Sequence, residues 1–306
     1  MSESRSTVSD VRAVEGRPNL PWQADLTVEG LWKKLWITGS NCRRHSFELT
    51  LAASEEDLAI AAWLEQRIFA NHEPASESEL RTIARKGALL LLRSSGVPSG
   101  ILALLLQPSL DLGHLQSLLP SDTAFLETVG LTRPARGYGL QLALVEVAEW
   151  LARLSGKQRI CTAVRGGNGA SLHQFFKSGY LLVAFDASFY GHRPGSGRFI
   201  LEHDLRMADP LDRGLPAGPT ITRHTRWLGD SVCVFINDGD QPDRRAQKTA
   251  AGLLSDGYVG VHLQKSPMQG VNVLTFVPIS SLESKARAIV AARRAWLTSA
   301  YSIPMT

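Results

Sequence analysis

The sequence predicts an α/β protein, a central sheet flanked by helices with a smaller C-terminal α/β unit. Three observations predict it. Apolar runs of strand length alternate with stretches of helical period along residues 47–205. A glycine turn, Arg136-Gly137-Tyr138-Gly139-Leu140-Gln141, joins a strand-like run at 123–131 to a strongly periodic helix at 140–154. A Pro/Gly-rich stretch at 207–220 then separates this region from a second series of strands and helices.

Taken in order, residues 1–44 form an N-terminal extension. Residues 1–16 are small and polar and predict disorder. Within 19–36, Trp22 is followed by Leu31, Trp32, Leu35 and Trp36 at helical spacing. That stripe predicts a helix packed on the main domain, with a lid over a substrate cleft as the alternative. The main domain spans 45–206. It opens on a strand at 47–51, and Ser54-Glu55-Glu56-Asp57 starts a helix running to Ala70. Strands at 88–93 and 100–106 flank a hairpin turn at 94–98. After the helix at 140–154, Ser155-Gly156 stops it and a strand follows at 159–164. A short helix after Asn168 leads through Gly179-Tyr180 into another strand. The linker at 207–220 precedes the unit at 221–306. There, 231–237 reads as a strand, 243–255 as a helix ended by Gly257, 258–264 and 271–277 as a strand pair, and 281–299 as a helix. Asp238-Gly239-Asp240 has too few carboxylates for a calcium loop and reads as a turn.

Composition bounds the function. At 306 residues and 44% hydrophobic, the chain can bury a full core. No apolar run reaches the length of a membrane span, and the polar N-terminus has no hydrophobic signal region, so a cytoplasmic protein without a membrane partner is expected. Cys42, Cys161 and Cys233 are far apart and form no zinc or disulfide framework; Cys161 and Cys233 lie in apolar strands and are expected in the core. The net charge of +4 is spread over the chain without interleaved aromatics, which argues against a nucleic-acid platform while favouring an anionic small-molecule partner.

The glycine turn is the main chemical signal. Glycines after a strand let the backbone approach a ligand with no Cβ in the way. Amide N–H groups at the following helix N-terminus favour phosphate oxygens, and Arg136 adds a cation. There is no Gly-x-x-x-x-Gly-Lys-Ser/Thr, and Leu142 stands where a dinucleotide fingerprint has its third glycine. The turn, residues 136–141, is therefore expected to hold a pyrophosphate of another kind.

With the segment Asn168-Gly169-Ala170-Ser171-Leu172-His173-Gln174-Phe175-Phe176-Lys177-Ser178-Gly179-Tyr180, the chain resembles the GNAT superfamily of N-acetyltransferases. In that family a strand enters Arg/Gln-x-x-Gly-x-Gly/Ala at the head of a long helix, and a later segment carries Asn, Ser/Ala, an aromatic residue and Gly-Phe/Tyr at fixed spacing. Arg136, Gly139, Asn168, Ser171, Phe175, Gly179 and Tyr180 stand at matching positions, and Gln141 departs from the usual Gly/Ala. The resemblance covers residues 47–205 and implies a mixed, splayed sheet. It also implies acetyl-CoA or another acyl-CoA as co-substrate, with no metal.

By the same resemblance Val129, Gly130 and Leu131 would pair with the pantetheine arm and polarise the thioester. Arg136, Gly137, Tyr138, Gly139, Leu140 and Gln141 would hold the pyrophosphate, and Asn168 would touch the cofactor from the next loop. Glu127 stands where several members of the family carry a base, and its apolar strand would raise its pKa; the alternative is a solvent-side glutamate. Phe175 occupies the place of a proton-donating tyrosine. His173 is then the titratable candidate for the acid, the alternative being a solvent-facing histidine.

The implied activity is acyl transfer, most simply of acetyl, to an amine-bearing small molecule or a peptide. Two other readings stay open, a non-catalytic acyl-CoA sensor or partner-binding module and a transferase for a longer acyl donor. The oligomeric state is open as well, a dimer included.

Overall fold

A computed structural model describes residues 33–38, 44–70, 74–109, 112, 119–187, 189, 197–206, 231–239, 243–266, 268–282, 287–288 and 290–291. They form two compact units that divide the chain at Lys157/Gln158. No helix among the described residues is long and apolar enough to cross a membrane.

The first unit is a five-stranded antiparallel sheet in the order β1 (Lys33–Thr38), β2 (Arg44–Leu51), β3 (Gly87–Ser94), β4 (Val97–Leu105), β5 (Thr123–Leu131). Strand β1 corrects the reading of Leu35 and Trp36 as a helical stripe: Leu35 pairs with Phe47 and Trp36 with Ser46. Lone apolar residues can satisfy a helical or an alternating period, and the free edge of β2 decides for the strand by pairing its backbone. Residues 1–32 lie outside the described residues, as do the disorder and the lid expected there.

Helix α1 (Glu55–Phe69) and helix α2 (Glu77–Lys86) both begin on capping boxes, Ser54 with Asp57 and Ser76 with Glu79. Leu58, Ala61, Leu64, Leu80 and Ile83 from these helices pack against Leu89, Leu91, Ile101 and Ala103 of β3 and β4. Helix α3 (Leu140–Leu154) packs on β4 and β5 and buries Leu140, Leu144, Val147 and Leu151. With β3 and β4 buried along both faces, Leu90, Leu92, Leu102 and Leu104 are as inaccessible as their neighbours. Each such leucine contributes ~1.5–3 kcal/mol by leaving water.

The second unit is a six-stranded antiparallel sheet in the order β6 (Arg159–Val164), β8 (Arg198–Asp204), β7 (Leu181–Asp186), β10 (Tyr258–Lys265), β11 (Val271–Pro278), β9 (Val232–Asn237). Helix α4 (Gly169–Lys177) packs on β10, and helix α5 (Arg244–Ser255) packs on β7, β9 and β10. The linker expected at 207–220 lies outside the described residues, as does most of the helix expected at 281–299. The strands beyond it extend the sheet of β7: Gly260 of β10 pairs with Leu182. Cys161 is buried as expected, whereas Cys233 is exposed. The alternation of β9 turns Val234 and Ile236 inward, which leaves Cys233 and Phe235 on the outer face.

Candidate functional site

In the first unit, one continuous strand–turn–helix carries most of the predicted site. Strand β5 pairs with β4 in one register from Leu131 to Thr128 and in another from Leu126 onward, because Ala103 faces Thr128 and Leu104 faces Leu126. Glu127 is the extra residue. A bulge of this kind twists the strand locally and re-aims the side chain it carries. The half-buried Glu127 thus leaves the strict alternation of its strand.

Beyond the bulge, β5 lies tight against the end of α1. A Cβ added at Gly130 would stand 2.6 Å from Phe69 Cζ and 2.9 Å from Ile68 Cγ2. Val129 is half-buried and Leu131 buried. The chain then turns away. Thr132 anchors the turn by donating its amide to the Ser99 carbonyl at 2.9 Å and its hydroxyl to the same oxygen at 3.1 Å. A single 3-10 turn over Arg133–Ala135 delivers Arg136, whose Nε donates to the Leu131 carbonyl at 3.1 Å while the residue stays exposed.

Gly137 and Gly139 have φ of 88° and 76°, the left-handed region that favours glycine. Gly139 is the N-cap of α3, and its carbonyl accepts from the Leu142 and Ala143 amides. No side chain caps this end. Among the described residues, the amides of Gly137, Gly139 and Leu140 have no hydrogen-bond acceptor. The space around a Cβ at Gly137 or Gly139 is empty of protein. The Tyr138 ring packs against Phe47 with centroids 6.0 Å apart, and Gln141 is half-buried. The turn is thus an exposed row of amides at the positive end of a fifteen-residue helix, suited to an anion.

A second acid stands beside this strand. Glu65 of α1 is 2% exposed. Its Oε2 accepts the Ala75 amide at 3.3 Å. Burial pushes its carboxyl up to about 7 against the pull of the Thr128 hydroxyl and the Ala75 amide, and the charges of Glu127 and Glu79 add to the rise. Sequence reasoning missed Glu65. The available signal was its spacing: four residues after Ala61 and seven after Leu58, an acid on the apolar face of α1.

In the second unit, Asn168 caps α4. Its Oδ1 accepts the Ser171 amide at 3.2 Å. The loop around it is tied to the C-terminal strands: Asp238 Oδ1 accepts the Gly169 amide at 3.1 Å, and the Gly167 carbonyl accepts the Gly239 amide at 3.0 Å. Asp238, read from sequence as part of a turn, is a second acceptor at this helix start. His173 is half-buried, with Nδ1 3.1 Å from the Leu263 carbonyl of β10. In the tautomer that donates there, Nε2 is left as the ring's other polar atom. Phe175 is buried, packed edge-on against Tyr180 at 5.0 Å between centroids.

No family model matches this chain, and no curated protein sequence matches it. Solved structures do. Ard1 from Thermoplasma volcanium is 15% identical, with 51% of this chain and 97% of that chain covered at a TM-score of 0.42. The ribosomal-protein-S18-alanine N-acetyltransferase from Escherichia coli is 19% identical over 55% of this chain and 99% of that one, TM-score 0.39. The GNAT-like decarboxylase GphF, in complex with isobutyryl-CoA, is 18% identical over 52% and 99%, TM-score 0.43. Each likeness covers about half of this chain.

Proposed function

We propose that this chain is an acyl-CoA-dependent N-acyltransferase that moves acetyl from acetyl-CoA to a primary amine by direct attack. The observation that carries the reading is the row of unpartnered amides at Gly137, Gly139 and Leu140, at the head of α3 and one strand away from a bulged glutamate. Arg136 to Gln141 would bind the pyrophosphate, Val129 to Leu131 the pantetheine arm, and Asn168 the cofactor from its loop. The acceptor is an amine-bearing small molecule or a peptide.

In the reaction, Glu127 takes a proton from the acceptor ammonium, directly or through water. The freed amine nitrogen bonds to the thioester carbon, the C–S bond breaks, and the thiolate leaves with a proton. Phe175 has none to give. His173 can supply one only as imidazolium, from Nε2–H, and water is the other source.

The test is free-thiol release from acetyl-CoA with pools of amines and peptides. Glu127→Gln is expected to keep CoA affinity and lower turnover by about two to four orders of magnitude. A folded protein that releases no thiol with any pool overturns the transferase reading. Phe175, with its ring in the core, favours one second reading, an acyl-CoA sensor; tight CoA binding without turnover would select it.

A further inference from the structure

We propose that the turn after β9, together with β11, clamps the loop that carries Asn168: Asp238, Gly239 and Asn272 are positioning residues that present the Asn168 side-chain amide to the co-substrate. The presentation to acyl-CoA rests on the acyltransferase reading, whereas the clamp itself does not.

Asn168 lies in the run Arg165-Gly166-Gly167-Asn168-Gly169, between β6 and α4. Neither Gly167 nor Gly169 has a positive φ, so the backbone conformation does not call for glycine at either place. Close approach does. A Cβ at Gly167 would stand 2.3 Å from the Gly239 carbonyl oxygen. One at Gly169 would stand 2.3 Å from Asn272 Nδ2 and 3.1 Å from Asp238 Oδ1. Asn272 is buried on β11, and a backbone oxygen has no rotamer to change. The same approach lets a hydrogen bond form on each side of Asn168: the Gly239 amide donates to the Gly167 carbonyl at 3.0 Å, and the Gly169 amide donates to Asp238 Oδ1 at 3.1 Å.

The clamp is held in turn by its own neighbours. Asp238 donates its amide to the Gly270 carbonyl at 2.7 Å, next to the pairing of Asn237 with Val271 and of Ile236 with Asn272. Asp243 Oδ2 accepts from Asn237 Nδ2 at 2.9 Å, while its Oδ1 accepts the Ala246 amide at 3.0 Å and starts α5. Inside the clamped loop the Asn168 amide donates to the Arg165 carbonyl at 2.9 Å, and Asn168 Oδ1 accepts the Ser171 amide. A donor at Ser171 requires oxygen on that side, so the Asn168 NH2 group points the other way. Asn168 is half-buried, and its Nδ2 has no acceptor among the described residues. Two N–H donors are thus offered from a fixed place, suited to a carbonyl or phosphate oxygen of the co-substrate. A donor already ordered before binding spares the ligand the cost of ordering it, which is how a clamp outside the contact adds affinity.

The experiment measures calorimetric CoA affinity and amide hydrogen exchange on the full chain, for the wild type, Asp238→Ala, Asp238→Asn, Asn168→Ala and the double variant Asn168→Ala/Asp238→Ala. Asp238→Ala is expected to weaken CoA binding about three- to tenfold. It should also speed exchange at Ser171, whose bond goes to Asn168 and not to Asp238. Asp238→Asn keeps an oxygen for the Gly169 amide and should recover most of both losses. In the double variant the two affinity losses should fail to add, because Asp238 acts through Asn168. Full additivity, or unchanged affinity in a folded Asp238→Ala protein, overturns the proposal. Should Asp238→Ala not fold, the wild type decides: saturating CoA should slow exchange at Gly239 together with Gly169 and Ser171, and a Gly239 rate unmoved by bound CoA overturns it. A wild type that binds no CoA sinks the transferase reading, and Ser171 then judges the clamp by itself. Faster exchange there in Asp238→Ala upholds the clamp, and an unchanged rate sinks it.

Discussion

Replacing Glu65 with glutamine should make the protein less sensitive to rising pH. A carboxyl whose pKa is raised on folding binds its proton more tightly in the native state, so stability falls with pH between the unfolded and folded values. For Glu65 that window runs from 4.5 to about 7. Its share is fully present below the lower value and lost as pH rises through the upper one. At ~1.4 kcal/mol per pH unit, the rise corresponds to about 3 kcal/mol. Glu149, also buried and raised to about 7 by desolvation, acts with the same sign in both proteins and cancels from the comparison. Urea denaturation of wild type and Glu65→Gln at pH 5 and pH 8 measures the effect. The wild type should lose most of ~3 kcal/mol relative to the variant between those points. A stability difference constant across that range would show that Glu65 carries no raised pKa, and the desolvation reasoning behind it would fall.

Gly139→Val should cost ~1–3 kcal/mol through its left-handed backbone, since no protein atom crowds the position, and CoA binding should weaken at least tenfold. Gly139→Asn, which tolerates that backbone, should lose much less; unchanged calorimetric affinity in a folded valine variant would remove the pyrophosphate assignment. Gly130→Ala should destabilise the protein by ~1–3 kcal/mol by forcing Phe69 off β5, and an unchanged thermal midpoint would contradict the close packing there. Asp238→Ala should destabilise by ~1–2 kcal/mol by stripping the acceptor from the Gly169 amide, read as faster amide exchange at Gly169. A chain ended near Met207 should misfold in its second half, since β7 loses β10; a soluble truncation with native amide dispersion in β7 would refute that.

What the sequence made legible was local and periodic. Helix α3 falls on the predicted residues because Leu140, Leu144, Val147 and Leu151 keep one face apolar and Gly139 and Ser155 bound it. The glycine turn was equally plain, since positive φ leaves its mark as glycine. Helix α2 escaped notice because its residues are mostly polar and its apolar face is reduced to Leu80 and Ile83, although Ser76 and Glu79 spelled its capping box. The bulge at Glu127 has no local code: it is a mismatch between two strands that are far apart in sequence. The joining of β10 to β7 was hidden for the same reason, because composition at a Pro/Gly-rich stretch reports a loop without reporting which strands meet beyond it.

The bond from Gly169 to Asp238 spans 69 residues of chain, and it has a consequence for biosynthesis. As the polypeptide leaves the ribosome, α4 appears with its first amide unsatisfied, and β7 appears with an open edge awaiting Gly260. Neither can be completed until β9 and β10 have emerged. At ~5–20 residues per second, the nascent second unit is left for several seconds with an unpaired strand and a loose Asn168 loop, the kind of species that chaperones shelter.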